Sequence, residues 1–213
     1  MTHNILNAVI VFSLVFLSSC AESPNSSEHA SPQTSSAAEQ IMETSSPNRS
    51  LPPVVGEKAL DFSLPTLDKK TFQLSKQLTK GPVALVILRG WPGYQCPICA
   101  TQVGKFIARA DDFRSVNARV AFVYPGPADH LVEHAEEFFS RQNIPDNFFF
   151  LIDPDFKFTV SYGLRWNAPK ETAYPSTFII DQQGAIRFEK VSKTHGDRAS
   201  ADDVLKVLAE MKE

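Results

Sequence analysis

The sequence predicts an α/β fold: a central mixed sheet with helices on both faces and a β-hairpin at its N-terminal end. Three features predict it. Apolar runs of strand length recur at 83–88, 120–124 and 148–152. They lack the alternation of a sheet with one wet face, so both faces of these strands are covered. Stretches of helical periodicity at 100–115 and 129–141 separate them. Two more strand-like runs, 176–181 and 185–191, flank Gln182-Gln183-Gly184, which is a hairpin signal. Strands alternating with helices pair in parallel, and the late hairpin adds an antiparallel strand.

In chain order, Ala59-Leu60-Asp61-Phe62-Ser63-Leu64 alternates as a half-buried strand does. Residues 67–74 continue it as a second arm, with Asp68-Lys69-Lys70 near the turn. Gly81-Pro82 punctuates before the 83–88 strand. The next helix places Val103, Phe106, Ile107, Ala110 and Phe113 on one face. Pro125-Gly126-Pro127 closes the 120–124 strand, and the 129–141 helix turns Leu131, Ala135, Phe138 and Phe139 inward. Asp153-Pro154-Asp155 opens a short helix over about 156–162, which Gly163 ends. A final helix over 200–212 buries Val204, Leu205, Val207 and Leu208.

The chain has 213 residues, room for one domain plus extras. Its net charge is −3 and it holds no basic block, so nothing invites nucleic acid. Residues 5–17 form an apolar run too short to span a bilayer comfortably but suited to a signal-peptide core. It ends in Leu17-Ser18-Ser19-Cys20, which resembles the bacterial lipobox. That resemblance implies removal of 1–19 and lipid on Cys20, anchoring the protein in the bacterial envelope and facing the periplasm or the exterior. A plain secretory signal and an uncleaved anchor are the other readings, and 1–4 lacks the Lys or Arg usual in leaders. Residues 20–50, rich in Ser, Pro, Thr, Asn and Glu, carry too little apolar surface to offset ordering entropy and read as a flexible tether. The folded domain is expected over 51–213.

The chemistry is expected at Pro92-Gly93-Tyr94-Gln95-Cys96-Pro97-Ile98-Cys99. A Cys-x-x-Cys between a buried strand and a helix reads as a redox dithiol rather than a staple. Pro97 suits the first helical position, which makes Cys96 the N-cap and puts Cys99 in the first turn. Unpaired N–H groups and the positive end of the helix dipole both favour thiolate there. A zinc site would need about four ligands, and no second Cys pair exists. No metal or other cofactor is implied.

Gly56-Glu57-Lys58-Ala59-Leu60-Asp61-Phe62-Ser63-Leu64, the Cys96-Pro97-Ile98-Cys99 pair after a buried strand, Tyr162-Gly163-Leu164 and Tyr174-Pro175-Ser176-Thr177-Phe178-Ile179-Ile180-Asp181 carry a family resemblance. The domain resembles the thioredoxin superfamily, and within it the redoxins of the alkyl hydroperoxide reductase/thiol-specific antioxidant type. The resemblance implies a thioredoxin-like fold and thiol chemistry in one of two registers. In a thiol–disulfide oxidoreductase Cys96 attacks a protein disulfide and Cys99 resolves. In a peroxidase Cys99 attacks peroxide and Cys96 resolves, because Cys96 stands where the peroxiredoxin signature has threonine. Either needs a thiol electron donor. The arginine that peroxiredoxins carry before their Thr-Phe-Ile-Ile-Asp-like strand is replaced by Pro175, which sits where thioredoxin-like reductases have their cis-proline. That favours disulfide exchange. A non-catalytic binding module, with the pair as a bridge, is the third class.

Neighbouring residues carry two readings each. Arg89 either supplies the missing charge or is an ordinary surface or capping arginine. Trp91 and Tyr94 wall the site or simply pack. His195 either approaches the site as a base or is a loop residue. No carboxylate lies on the 83–88 strand to take the resolving thiol's proton. His130-Leu131-Val132-Glu133-His134 has the form of an inverted zinc-peptidase motif but reads as a solvated helix face.

Overall fold

The computed structural model describes residues 51–140 and 142–211. The leader over 1–19, Cys20, the tether over 20–50 and the expected ends of two helices at Arg141 and Lys212 lie outside the described residues. Among the described residues no helix is long and apolar enough to cross a membrane.

The expected N-terminal hairpin is present but shorter. Strands β1 (Ser63–Pro65) and β2 (Thr71–Gln73) pair antiparallel, with Leu64 opposite Phe72. Residues 59–62 do not extend β1. Asp61 instead caps the next element: its carboxylate accepts from the Ser75 backbone N–H at 2.8 Å and from the Ser75 hydroxyl. That element is a helix the sequence did not announce, α1 (Leu74–Leu78), which buries Leu74 and Leu78.

The main sheet has five strands: β3 (Val83–Ile87), β4 (Arg119–Gly126), β5 (Phe148–Pro154), β6 (Ser176–Ile180) and β7 (Ile186–Val191). Their order is β5-β4-β3-β6-β7. β3, β4 and β5 are parallel, β6 runs antiparallel to β3, and β7 runs antiparallel to β6, as the alternation and the late hairpin require. Asp181 stabilises the hairpin turn, accepting from the Gln183 and Ala185 backbone N–H groups at 2.9 and 2.8 Å.

Side chains alternate across β3. Ala84, Val86 and Leu88 join one core with α2 (Pro97–Ile107), α3 (Ala110–Ser115), α4 (Leu131–Phe139) and α6 (Ala201–Glu210). Val83, Leu85 and Ile87 join the other with the β1–β2 hairpin, α1 and α5 (Lys157–Ser161). Helices thus cover both faces, but the longer ones share one face.

The single helix expected over 100–115 is two. It breaks after Ala108, at Arg109, whose backbone leaves the helical region. Seven residues of continuous helix rise about 10.5 Å, yet the Phe106 and Phe113 rings stack at 5.5 Å. The break folds α3 back so that both rings enter one core.

One backbone approach positions the loop after β3. Gly90 has φ +70, and a Cβ there would lie 1.9 Å from the Pro125 carbonyl oxygen. Trp91 N–H donates to that same oxygen at 2.9 Å. Only glycine satisfies both demands. Gly90→Ala is expected to cost about 3 kcal/mol, from a left-handed backbone plus the overlap. The shift in urea midpoint measures it, and a change under about 0.5 kcal/mol would refute the constraint.

Candidate active site

Three segments meet at the end of the sheet where β3 finishes. The first is the loop from Leu88 into α2. Cys96 is the N-cap of α2, with extended backbone, and Pro97 occupies the first helical position. The Cys99 backbone N–H donates to Cys96 Sγ at 3.3 Å. The expected cap geometry is therefore present, with sulfur in the place usually taken by an oxygen acceptor.

Both cysteines are free thiols and both are buried, Cys99 completely. Their environments push them apart. Hydrogen bonds from the Cys99 thiol and backbone N–H, with the charges of Arg198 and Arg89, outweigh burial and lower the Cys96 thiol to about 6. Burial first, and then the neighbouring Cys96, raises the Cys99 thiol well above its ordinary value. Arg198 and the Arg89 backbone N–H oppose that rise. One negative charge shared by two close sulfurs settles on the one at the helix start.

The second segment is the loop before β6. Arg89 is no surface arginine: its side chain is 4% exposed, and that of its partner Glu171 is 12% exposed. Arg89 Nε donates to Glu171 Oε2 at 2.8 Å, Nη2 donates to the Lys170 carbonyl at 2.7 Å, and Nη1 reaches the Tyr94 hydroxyl. The guanidinium also lies 5.0 Å from the Tyr94 ring centre. Burial alone would raise the Glu171 carboxyl, but Arg89 and His195 hold it below its usual value.

The third segment is the loop before α6. His195 Nε2 lies 3.0 Å from Glu171 Oε1. Arg198 donates from Nε to the His195 carbonyl at 2.7 Å and from Nη1 to Gln102 Oε1 at 2.9 Å. Its Nη2 stands 3.5 Å from Cys99 Sγ. A polar chain thus runs from Tyr94 through Arg89, Glu171, His195 and Arg198 to the second sulfur.

The remaining candidates take other positions. Trp91 lies flat against His134 of α4, ring centres 3.6 Å apart at 14°. His134 is therefore stacked rather than solvated, while His130 is an exposed, left-handed residue capping α4. Gln95 accepts from the buried Tyr124 hydroxyl at 2.9 Å and donates to the His134 carbonyl at 2.9 Å. Pro175 is buried one residue before β6. Ser176 opposes Ile87, so Pro175 stands beside Leu88, at the dithiol end of the sheet. Among the described residues no group of three or more His, Cys, Asp or Glu is placed to hold a metal ion. Sequence reasoning missed Glu171, Arg198, Gln102 and Gln95. They lie in irregular segments or on a helix face, and apart from the Arg198–His195 bond their partners stand 24 to 99 residues away.

The model of the AhpC/TSA family matches residues 55–189, a span that takes in the dithiol, the Arg89–Glu171 pair and most of the late hairpin. The chain belongs to this family. It is a redoxin of the thioredoxin superfamily and a thiol oxidoreductase. Among curated proteins it is 27% identical, over 141 residues, to the thiol:disulfide interchange protein DsbE of Allochromatium vinosum. That match covers 65% of this chain and 67% of the relative. Peroxidoxin BcpB from Mycobacterium tuberculosis superposes with a TM-score of 0.60 at 24% identity, over 75% of this chain and 98% of that one. The yeast mitochondrial 1-Cys peroxiredoxin superposes with a TM-score of 0.62 at 15% identity, over 75% and 76%. At these identities the superpositions establish the shared fold.

The Arg89–Glu171 pair is buried enough for its rupture to be costly. Glu171→Ala, which strands the guanidinium, is expected to lose about 3 kcal/mol of stability. The double variant Arg89→Met/Glu171→Met should regain most of it, because two apolar side chains leave no orphan charge. Urea unfolding of the three proteins checks this, and a double variant less stable than Glu171→Ala would refute it.

Proposed function

We propose that this protein is a membrane-tethered thiol–disulfide oxidoreductase of the cell envelope in which Cys96 attacks and Cys99 resolves. The observation that carries the reading is the division of labour between the sulfurs. Cys96, at the helix start, is the thiolate at neutral pH, and Cys99, completely buried, keeps its proton. A nucleophile must be ionised to attack, and its resolver must wait.

The reaction balances as a two-electron exchange. Cys96 thiolate attacks a substrate disulfide R–S–S–R′, forming Cys96–S–S–R and releasing R′S⁻. Cys99 gives its proton to the released R′S⁻ and then attacks the Cys96 sulfur, forming the Cys96–Cys99 bond and releasing RS⁻. The dithiol is oxidised and the substrate is reduced to two thiols. An external thiol donor restores the dithiol, and the reverse sequence oxidises a substrate dithiol. The likeness to the DsbE protein, named as a thiol:disulfide interchange protein, supports this register. In the peroxidase register, Cys99 would have to ionise and meet peroxide while fully buried. The exposed Tyr94 and Ile98 beside the dithiol offer apolar surface to a polypeptide substrate. The lipobox-like Leu17-Ser18-Ser19-Cys20, the tether over 20–50 and a folded domain from 51 support a lipid-held domain working away from the membrane.

Cys96→Ser is expected to abolish reduction of a protein disulfide, and Cys99→Ser to accumulate a stable mixed disulfide through Cys96. Mass spectrometry of the trapped adduct reads this. Hydrogen peroxide turnover that survives Cys96→Ser but disappears with Cys99→Ser would establish the opposite register.

The pH dependence follows from the sign of the Cys96 shift. A lowered thiol value means that the thiolate is present above about 6. Alkylation of Cys96 should therefore rise through pH 6 and level off above neutrality, whereas an ordinary thiol is only half ionised at about 8.5 and climbs beyond it. A profile that is still rising at pH 8 would contradict the assignment.

A further inference from the structure

Under the reading just given, the resolving step poses a chemical problem. Cys99 has no solvent exposure and must still surrender its proton to attack. The sheet offers no carboxylate on β3 to receive it, since Val83–Ile87 is wholly apolar. A cation beside the sulfur solves the problem in another way, by stabilising the thiolate that remains.

We propose that Arg198 is a catalytic residue of the resolving step: its guanidinium holds the Cys99 sulfur as a thiolate once Cys96 is bonded to substrate. The geometry supports this at three points. Nη2 already stands 3.5 Å from Cys99 Sγ. The other two nitrogens are fixed, Nε on the His195 carbonyl and Nη1 on Gln102, whose own Nε2 donates to the Ala199 carbonyl at 3.2 Å. Arg198 also has no carboxylate ion pair among the described residues, unlike Arg89, so its charge is not spent on a fixed partner.

The bond made in the first step redirects that charge. In the free dithiol Arg198 acts on both sulfurs, and burial first, then the neighbouring Cys96, keeps Cys99 protonated. When Cys96 becomes a neutral mixed disulfide, the repelling anion is gone. Arg198 and the Arg89 backbone N–H then act on Cys99 alone. The guanidinium takes up no proton; the Cys99 proton goes to the R′S⁻ that the first attack releases.

A neutral dipyridyl disulfide tests this, because it releases one absorbing pyridinethione at attack and a second at resolution. Being uncharged, it does not report on attraction of substrate to the guanidinium. In Arg198→Met the second phase is expected to slow at pH 7 by at least about tenfold, the effect of one pKa unit on thiolate fraction. Its pH profile should move upward by about one unit. The first phase should change less, which shows at once that the site is folded. Arg198→Lys should recover much of the second phase, since it keeps a cation at that place. A second phase unchanged in rate and pH profile, or equal slowing of both phases, overturns the proposal. The underlying register fails separately: a first release that survives Cys96→Ser and is lost in Cys99→Ser refutes it, whatever Arg198 does.

Discussion

The start of α2 is the constraint on which the site depends. A helix leaves its first N–H groups without partners, and here one of them points at a sulfur. The same short loop must leave β3, clear the Pro125 carbonyl and deliver Cys96 to the cap. Gly90 makes the close approach possible, and Trp91 secures it through its backbone bond and its stack on His134. Pro97 then begins the helix where a missing N–H costs nothing. Together these residues fix one sulfur at a helix terminus while the next sulfur falls into the core.

The polar chain behind the sulfurs explains why charged groups are tolerated so deep. A buried guanidinium is unfavourable unless a carboxylate and further acceptors surround it. Arg89 meets that requirement through Glu171, Lys170 and Tyr94, drawn from segments about eighty residues apart in sequence. Glu171 in turn holds His195, whose carbonyl holds Arg198. The loops before β6 and α6 are thereby tied to the loop before α2. Their positions follow from electrostatic pairing as well as from packing.

The parts of the molecule legible in the sequence are those governed by local rules. The apolar 83–88 run, the turn at Gln182-Gln183-Gly184 and the Cys96-Pro97 cap each carry their signal within a few residues, and the structure places them as read. α1 escaped because five residues are too few to show a period, and Gln73 supplies no side-chain cap. The break after Ala108, at Arg109, escaped because both residues favour helix, and the reason for it is a stack with Phe113 seen only in three dimensions. Arg89 was visible as a candidate charge, but its burial was not, because its partner Glu171 sits in a loop without pattern. Arg198 was silent for the same reason, flanked by loop residues and the capping box of α6.

These features bear on whether the cysteine pair is merely structural. A disulfide between Cys96 and Cys99 closes a loop of four residues, for which chain entropy supplies about 2 kcal/mol. That is comparable with one good cap and could be had more simply. An inert bridge would not need one sulfur at a helix terminus and the other in an apolar core, because that arrangement matters only when the sulfurs ionise. Nor would it need a guanidinium 3.5 Å from the inner sulfur. A cation beside the inner sulfur is of most use when that sulfur becomes negative, as it does in the proposed exchange once Cys96 is bonded to substrate.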